Sequence, residues 1–183
     1  MEKSDAIQQK SYVLPAFNLN ALVVQIALLA AAAILLPAAA HATGLPVRWL
    51  LPMHWPVILA GLCYGWRSGA AIGLLAPFAS FLISGMPLPH ILPAMTVELA
   101  AYGLIAGFAR QGLHLNWFLS SAAALIGGRI VFLAYVLAFR SVSQPFGDYL
   151  VAAMLPGIPA AIAQLILLSL AAKWWVGRGE RLH

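Results

Sequence analysis

Apolar residues run in long blocks along this chain, and short polar connections between the blocks set its plan. Four blocks, Leu19–Leu36, Pro93–Ala109, Leu115–Phe139 and Tyr149–Val176, reach the length of at least about 17 residues that a helix needs to cross a bilayer. The stretch from Trp49 to Gly85 is equally apolar, with Arg67 as its only formal charge. Its run Gly65-Trp-Arg-Ser-Gly69 reads as a turn. That turn divides the stretch into a short helix over Trp55–Tyr64 and a third span ending near Ser84. The short helix cannot cross alone and needs its flanking loop.

Charge placement chooses between five and six spans, because Lys and Arg gather on the cytoplasmic side of short loops. With six spans and both ends inside, the inner side holds Lys3, Lys10, Arg67, Arg110, Lys173, Arg178 and Arg181, and the outer side only Arg48 and Arg140. Five spans would put the two basic ends on opposite sides and erase this asymmetry. The expectation is an all-α membrane protein: one domain over residues 1–183, a bundle of six transmembrane helices with a short second helix, and cytoplasmic N- and C-termini. Residues 1–16 form the N-terminal segment, 17–176 the bundle and 177–183 the tail. Lys3, Lys10, the first apolar run and the Ala-His-Ala stretch near Ala42 share the layout of a secretory signal peptide, but the run is longer than a usual signal core.

Composition agrees. Apolar residues make up 63% of the 183 positions and charged residues 8%, far from the roughly half and quarter of a soluble domain. The net charge of +5 is scattered over chain ends and connections instead of forming a face for nucleic acid, so no nucleic-acid partner is expected. Cys63 has no second cysteine, which excludes an intrachain disulfide and a cysteine metal cluster; it is read as packing.

Ionisable groups inside a span are costly and mark candidate sites. Glu98 lies five residues into the fourth span, roughly 8 Å below the outer surface, and Arg129 ten residues before the end of the fifth, roughly 15 Å down. Both are in the outer half, where they either lock two helices as a salt bridge or line a cavity. Tyr102 is one turn from Glu98 on the same face. Gln164 follows the Pro156-Gly-Ile-Pro159 segment, which should distort the sixth span. Asn116 and Gln25 read as hydrogen-bonding groups between helices. Among the histidines, His54 stands before the second helix, and His41 and His90 fall in outer loops. None has the spacing of helical metal ligands, so neither metal nor cofactor is expected. No phosphate loop or nucleophile elbow is present.

Ala27 and Ala31, four apart in an alanine-rich first span, permit close approach of another helix. Gly65, Gly69 and Gly73 repeat the device and read as packing within the chain.

The stretch Leu51-Pro-Met-His-Trp-Pro-Val-Ile-Leu-Ala-Gly61, then Gly65, Gly69, Gly73 and Pro77, Ser84-Gly-Met-Pro87, Pro93-Ala-Met-Thr-Val-Glu-Leu-Ala-Ala-Tyr-Gly103, and Pro156-Gly-Ile158 with Gln164 resemble the S-components of energy-coupling-factor importers. The likeness runs from about Leu51 to Leu167 and is nearest the group with riboflavin, cobalamin, niacin and queuosine-precursor carriers. It implies a subunit of a bacterial cytoplasmic membrane that binds a vitamin-like molecule near the outer face and docks on a membrane coupling subunit with two cytoplasmic ATPases. Pro52, Met53 and His54 would help close the mouth, Glu98 and Arg129 orient the ligand, Tyr102 and Gln164 complete its hydrogen bonds, and Ala27 and Ala31 serve docking. Trp55 departs from the family, where aliphatic residues are commoner. Two other readings are a small intramembrane enzyme acting on lipid, which lacks a catalytic constellation here, and a self-sufficient carrier, for which internal repeats are missing.

Overall fold

The computed structural model describes residues 12–44, 47–139 and 146–179, and every regular element among them is helical. Helix α1 runs Leu19–Ala42, α2 His54–Tyr64, α3 Trp66–Ser84, α4 Leu92–Gln111 and α5 Trp117–Phe139. The final segment comprises α6, Phe146–Met154, a 3-10 turn over Leu155–Gly157, and α7, Ile158–Gly179. Five stretches are long and apolar enough to cross a membrane, the last spanning α6 and α7 together, and α2 is the shorter apolar helix between the first two. The sixfold plan with a short second helix is therefore present. The break expected at Pro156 lies in the 3-10 turn, where proline removes a donor and blocks a regular helix.

The first span is longer than its predicted end at Leu36, and His41 lies within the helix instead of a loop. The cause is local. Pro37 would normally clash with the carbonyl four residues earlier. A π turn over Ala31–Leu35 widens the helix just before it, with the Leu36 N–H donating to the Ala31 carbonyl. Similarly, His54 is the first residue of α2 and not a loop residue ahead of it. Lys3, Lys10, Arg140 and Arg181 lie outside the described residues.

Glycine decides where the bundle is tightest. A methyl group on Gly69 or Gly103 would strike the other's backbone, one on Gly61 the Gly103 carbonyl, one on Gly73 the Leu99 carbonyl, and one on Gly107 the backbone of Gly65 and Trp66. Helices α2, α3 and α4 thus meet backbone to backbone, the mode of association lipid favours because no hydrophobic drive separates helix from acyl chain. Half of the α4 span is buried against 17% of α5 and of the last span. Gly65, with φ of 87°, makes the tight α2–α3 turn.

One end of the bundle gathers the start of α1, the α2–α3 turn, the α4–α5 connection and the end of α7. Arg110 organises it. This buried guanidinium donates to the Leu115 carbonyl and, at 3.0 Å, to the Tyr12 carbonyl, and lies 3.6 Å from the Trp117 ring centroid. Carbonyl acceptors and an aromatic face replace the hydration it gives up. The Leu14 N–H donates to the Cys63 carbonyl at 2.7 Å, drawing the segment before α1 onto the end of α2. Asn18 caps α1 by accepting from the Ala21 N–H, and Asn116 caps α5 by accepting from Leu119. Asn116 is therefore a cap instead of a bond between helices. Gln25 likewise turns back to the Ala16 carbonyl at 2.7 Å, a contact just ahead of its own helix.

Candidate functional site

The opposite end holds Glu98 and Arg129, the two ionisable groups the sequence singled out within spans. Glu98, in the second turn of α4, is 5% exposed although nothing but apolar sequence precedes it in that helix beyond Thr96. Arg129 of α5 donates from Nη1 to Glu98 Oε1 at 2.7 Å, a charge-assisted bond that removes most of the cost of burying the carboxylate. The pair is unequally hidden. Its side chains are 20% exposed for Arg129 and 7% for Glu98, so Arg129 is the more accessible member.

His54 completes a second contact with the same oxygen, its Nε2 lying 3.6 Å from Glu98 Oε1, too long for a hydrogen bond. Its ring meets the Tyr102 ring edge-on, with centroids 4.8 Å apart. The local chain explains this placement. Leu51 adopts a left-handed backbone with φ of 46°, a conformation that turns the chain inward, and its carbonyl accepts from the His54 N–H at 3.0 Å. The Trp55 indole donates to the Leu50 carbonyl at 2.9 Å and ties the same turn. Trp55, the departure from the family pattern, thus acts as a brace at the start of α2. Pro52 and Met53 are buried beside it.

Two side chains here are short of partners. Both ring nitrogens of His54, 3% exposed, and both amide atoms of Gln164, fully buried on α7, have no hydrogen-bond partner among the described residues. Leaving such groups unpaired in a dry interior costs about 1 to 3 kcal/mol each. Tyr102, buried on α4, packs against Gly128 of α5, where a methyl group would lie 2.7 Å from its ring.

The chain's second end thus gathers an ion pair, an imidazole and a buried tyrosine, and no group of three metal-binding side chains lies among the described residues. A family model for the ECF transporter, substrate-specific component, matches residues 21–174. The chain belongs to that family. No curated protein and no solved structure matches it.

As a substrate-specific component it is a transporter subunit and not an enzyme. The expected residues Pro52, Met53, His54, Glu98, Tyr102 and Arg129 come together near the far end of this S-component. Gln164 lies deeper along α7, seven residues beyond Gly157, which faces Arg129. A methyl group on Gly157 would sit 3.1 Å from Arg129 Nη2, so this glycine leaves room for the guanidinium. Three neighbours escaped the sequence reading. Phe132 lies one turn from Arg129, with its ring centroid 5.9 Å from the guanidinium carbon, and its ring faces that of Tyr149 at 6.4 Å. Tyr149 is within electrostatic reach of both Glu98 and Arg129. The i, i+3 spacing of Arg129 and Phe132 was a usable signal; nothing linear pointed to Tyr149 or Gly157.

The docking candidates separate. Ala27 is exposed on α1, Ala31 half-buried, and the neighbouring Ala32 and Ala33 face the bundle.

Proposed function

We propose that this S-component captures a vitamin or related small molecule at the end carrying Glu98 and Arg129, and hands it inward after docking on a coupling subunit with two cytoplasmic ATPases. The observation that carries the reading is the orphaned imidazole of His54 against the Glu98–Arg129 pair, with a second orphaned group, the Gln164 amide, deeper along α7. A polar heterocyclic ligand would supply partners for these atoms, and its binding would recover the cost of burying them unpaired. In this reading Arg129 and Glu98 orient polar groups of the ligand, Tyr102 and Gln164 complete its hydrogen bonds, Phe132 and Tyr149 supply stacking surface, and Pro52, Met53 and His54 close the mouth.

Arg67, Arg110, Lys173 and Arg178 all lie at the other end, which supports a cytoplasmic placement of that end and an outward-facing site in a bacterial cytoplasmic membrane. The exposed Ala27, with Val23 and Ile26 beside it, supports α1 as the docking face.

Native mass spectrometry of the protein purified from its own host identifies the captured molecule, and titration of that molecule into ligand-free protein checks it. A bound compound of vitamin size with sub-micromolar affinity is the expected result. The absence of any retained compound, together with uptake unaffected by deletion of the chain, would overturn the reading.

A further inference from the structure

A cavity of about 570 Å³ opens at the basic end, as far from Glu98 as the bundle allows, between the start of α1, the end of α2 and the end of α7. Its volume is within the roughly 300 to 1,000 Å³ of small-molecule sites. Leu14, Leu19 and Val24 make its apolar wall, and Asn18, Tyr64 and Arg178 bring polar groups to it. Leu19 is 77% exposed, so the wall continues onto the lipid-facing side of α1.

Three of the polar groups, Arg178, Tyr64 and Asn18, have N–H or O–H groups to donate, and Asn20 lines the same cavity. The Arg178 guanidinium carbon lies 4.0 Å from the Trp174 ring centroid, stacking that leaves the N–H edge for an anion. Tyr64 Oη accepts from Trp175 Nε1 at 3.2 Å and keeps its own proton to donate. Asn18 spends its carbonyl oxygen on the Ala21 N–H and keeps its amide NH₂. The two described carboxylates, Glu98 and Asp148, both belong to the other end. An apolar wall beside a cation and two donors is complementary to a negatively charged amphiphile.

We infer that this cavity is a binding site for one anionic phospholipid, its phosphate held by Arg178, Tyr64 and Asn18 and an acyl chain laid along Leu19 and Val24. The inference does not depend on the ligand reading of the other end, since the two sites share no residue and both leaflets contain phospholipid.

The test is native mass spectrometry of the full chain in detergent, titrated with phosphatidylglycerol or with phosphatidylcholine of identical acyl chains. One phosphatidylglycerol should be retained in preference to phosphatidylcholine. Arg178→Gln should lower that retention about fivefold, the effect expected for one arginine lost at an anionic surface, and Val24→Phe, which fills the cavity while keeping every charge, should lower it too. Arg67→Gln removes an equal charge at the same end outside the cavity and should change retention little. Equal loss in the Arg67 and Arg178 variants would reduce the effect to diffuse charge and overturn the site. Retention unchanged by Val24→Phe would also overturn it. Competition by glycerol 3-phosphate alone would mean a soluble anion site instead. If Arg178→Gln proves unfolded, Val24→Phe and Arg67→Gln still decide the matter.

Discussion

Arg129 reaches across from α5 to place Nη1 2.7 Å from Glu98 Oε1 on α4, and of the two side chains only the arginine is appreciably open to the outside. The pair therefore has an inner, fixed member and an outer, available one. In the proposed reading, a ligand meets Arg129 before Glu98 and finds its charge already balanced. Binding then needs no large desolvation of a free charge.

Substitutions of the pair should act unequally. Arg129→Met leaves the buried Glu98 carboxylate without its cation, and removing one partner of a buried pair costs about 3 to 5 kcal/mol. Glu98→Gln leaves a partly solvated guanidinium and should cost less. Each should weaken ligand binding more than tenfold, about 1.4 kcal/mol, and the double variant should recover part of the stability but none of the affinity. Thermal unfolding and titration on the three variants check this; unchanged affinity in both singles removes the pair from the site.

Gln164→Met tests the orphaned amide. No bond among the described residues is lost, and an apolar side chain of similar length replaces a buried group that has no partner. Ligand-free stability should stay level or rise, while affinity falls about tenfold as a ligand hydrogen bond disappears. A drop in stability without a change in affinity would make Gln164 structural.

Gly103→Ala puts a methyl group into the backbone of Gly69. Overpacking of this kind costs about 1 to 3 kcal/mol, and here neither neighbour can yield by rotating a side chain. Gly177→Ala, whose added methyl meets nothing within 4 Å, should hold the melting temperature or raise it. Unfolding curves of the two variants give the comparison.

Ala27→Trp should abolish uptake in cells while purified protein binds its ligand normally, because Ala27 faces away from the bundle. Ala31 is half-buried, so Ala31→Trp should in addition lower stability. Uptake, affinity and co-purification of the coupling subunit are measured on both. Retained uptake with tryptophan at Ala27 would move the docking surface off the first helix.

Glu98 and Arg129 were legible in the sequence because a charge inside an apolar block is too costly to be incidental, and the turn at Gly65 was legible because glycine is the residue that tolerates its φ. His54 was legible as a group able to converge on Glu98, and the resemblance added its place at the mouth. Tyr149 and Gly157 were not, since their approach to Arg129 depends on how the last segment folds back on α5, a relation with no linear spacing. Gln25 and Asn116 misled for a related reason. Polar residues in a membrane chain suggest bonds between helices, yet Asn116 satisfies a backbone group three residues away and Gln25 one nine residues away, both within the same stretch of chain.

The π turn before Pro37 gives α1 one residue more than a regular helix of the same reach requires. That surplus is a local allowance in chain length. Deleting one alanine from the run Ala30–Ala33 would let the turn close to ordinary α geometry with both flanks still facing their present neighbours. In α4 no such slack exists, and loss of one residue between Glu98 and Tyr102 would rotate one against the other by about 100°. The first span can therefore drift in length while the helix carrying Glu98 cannot.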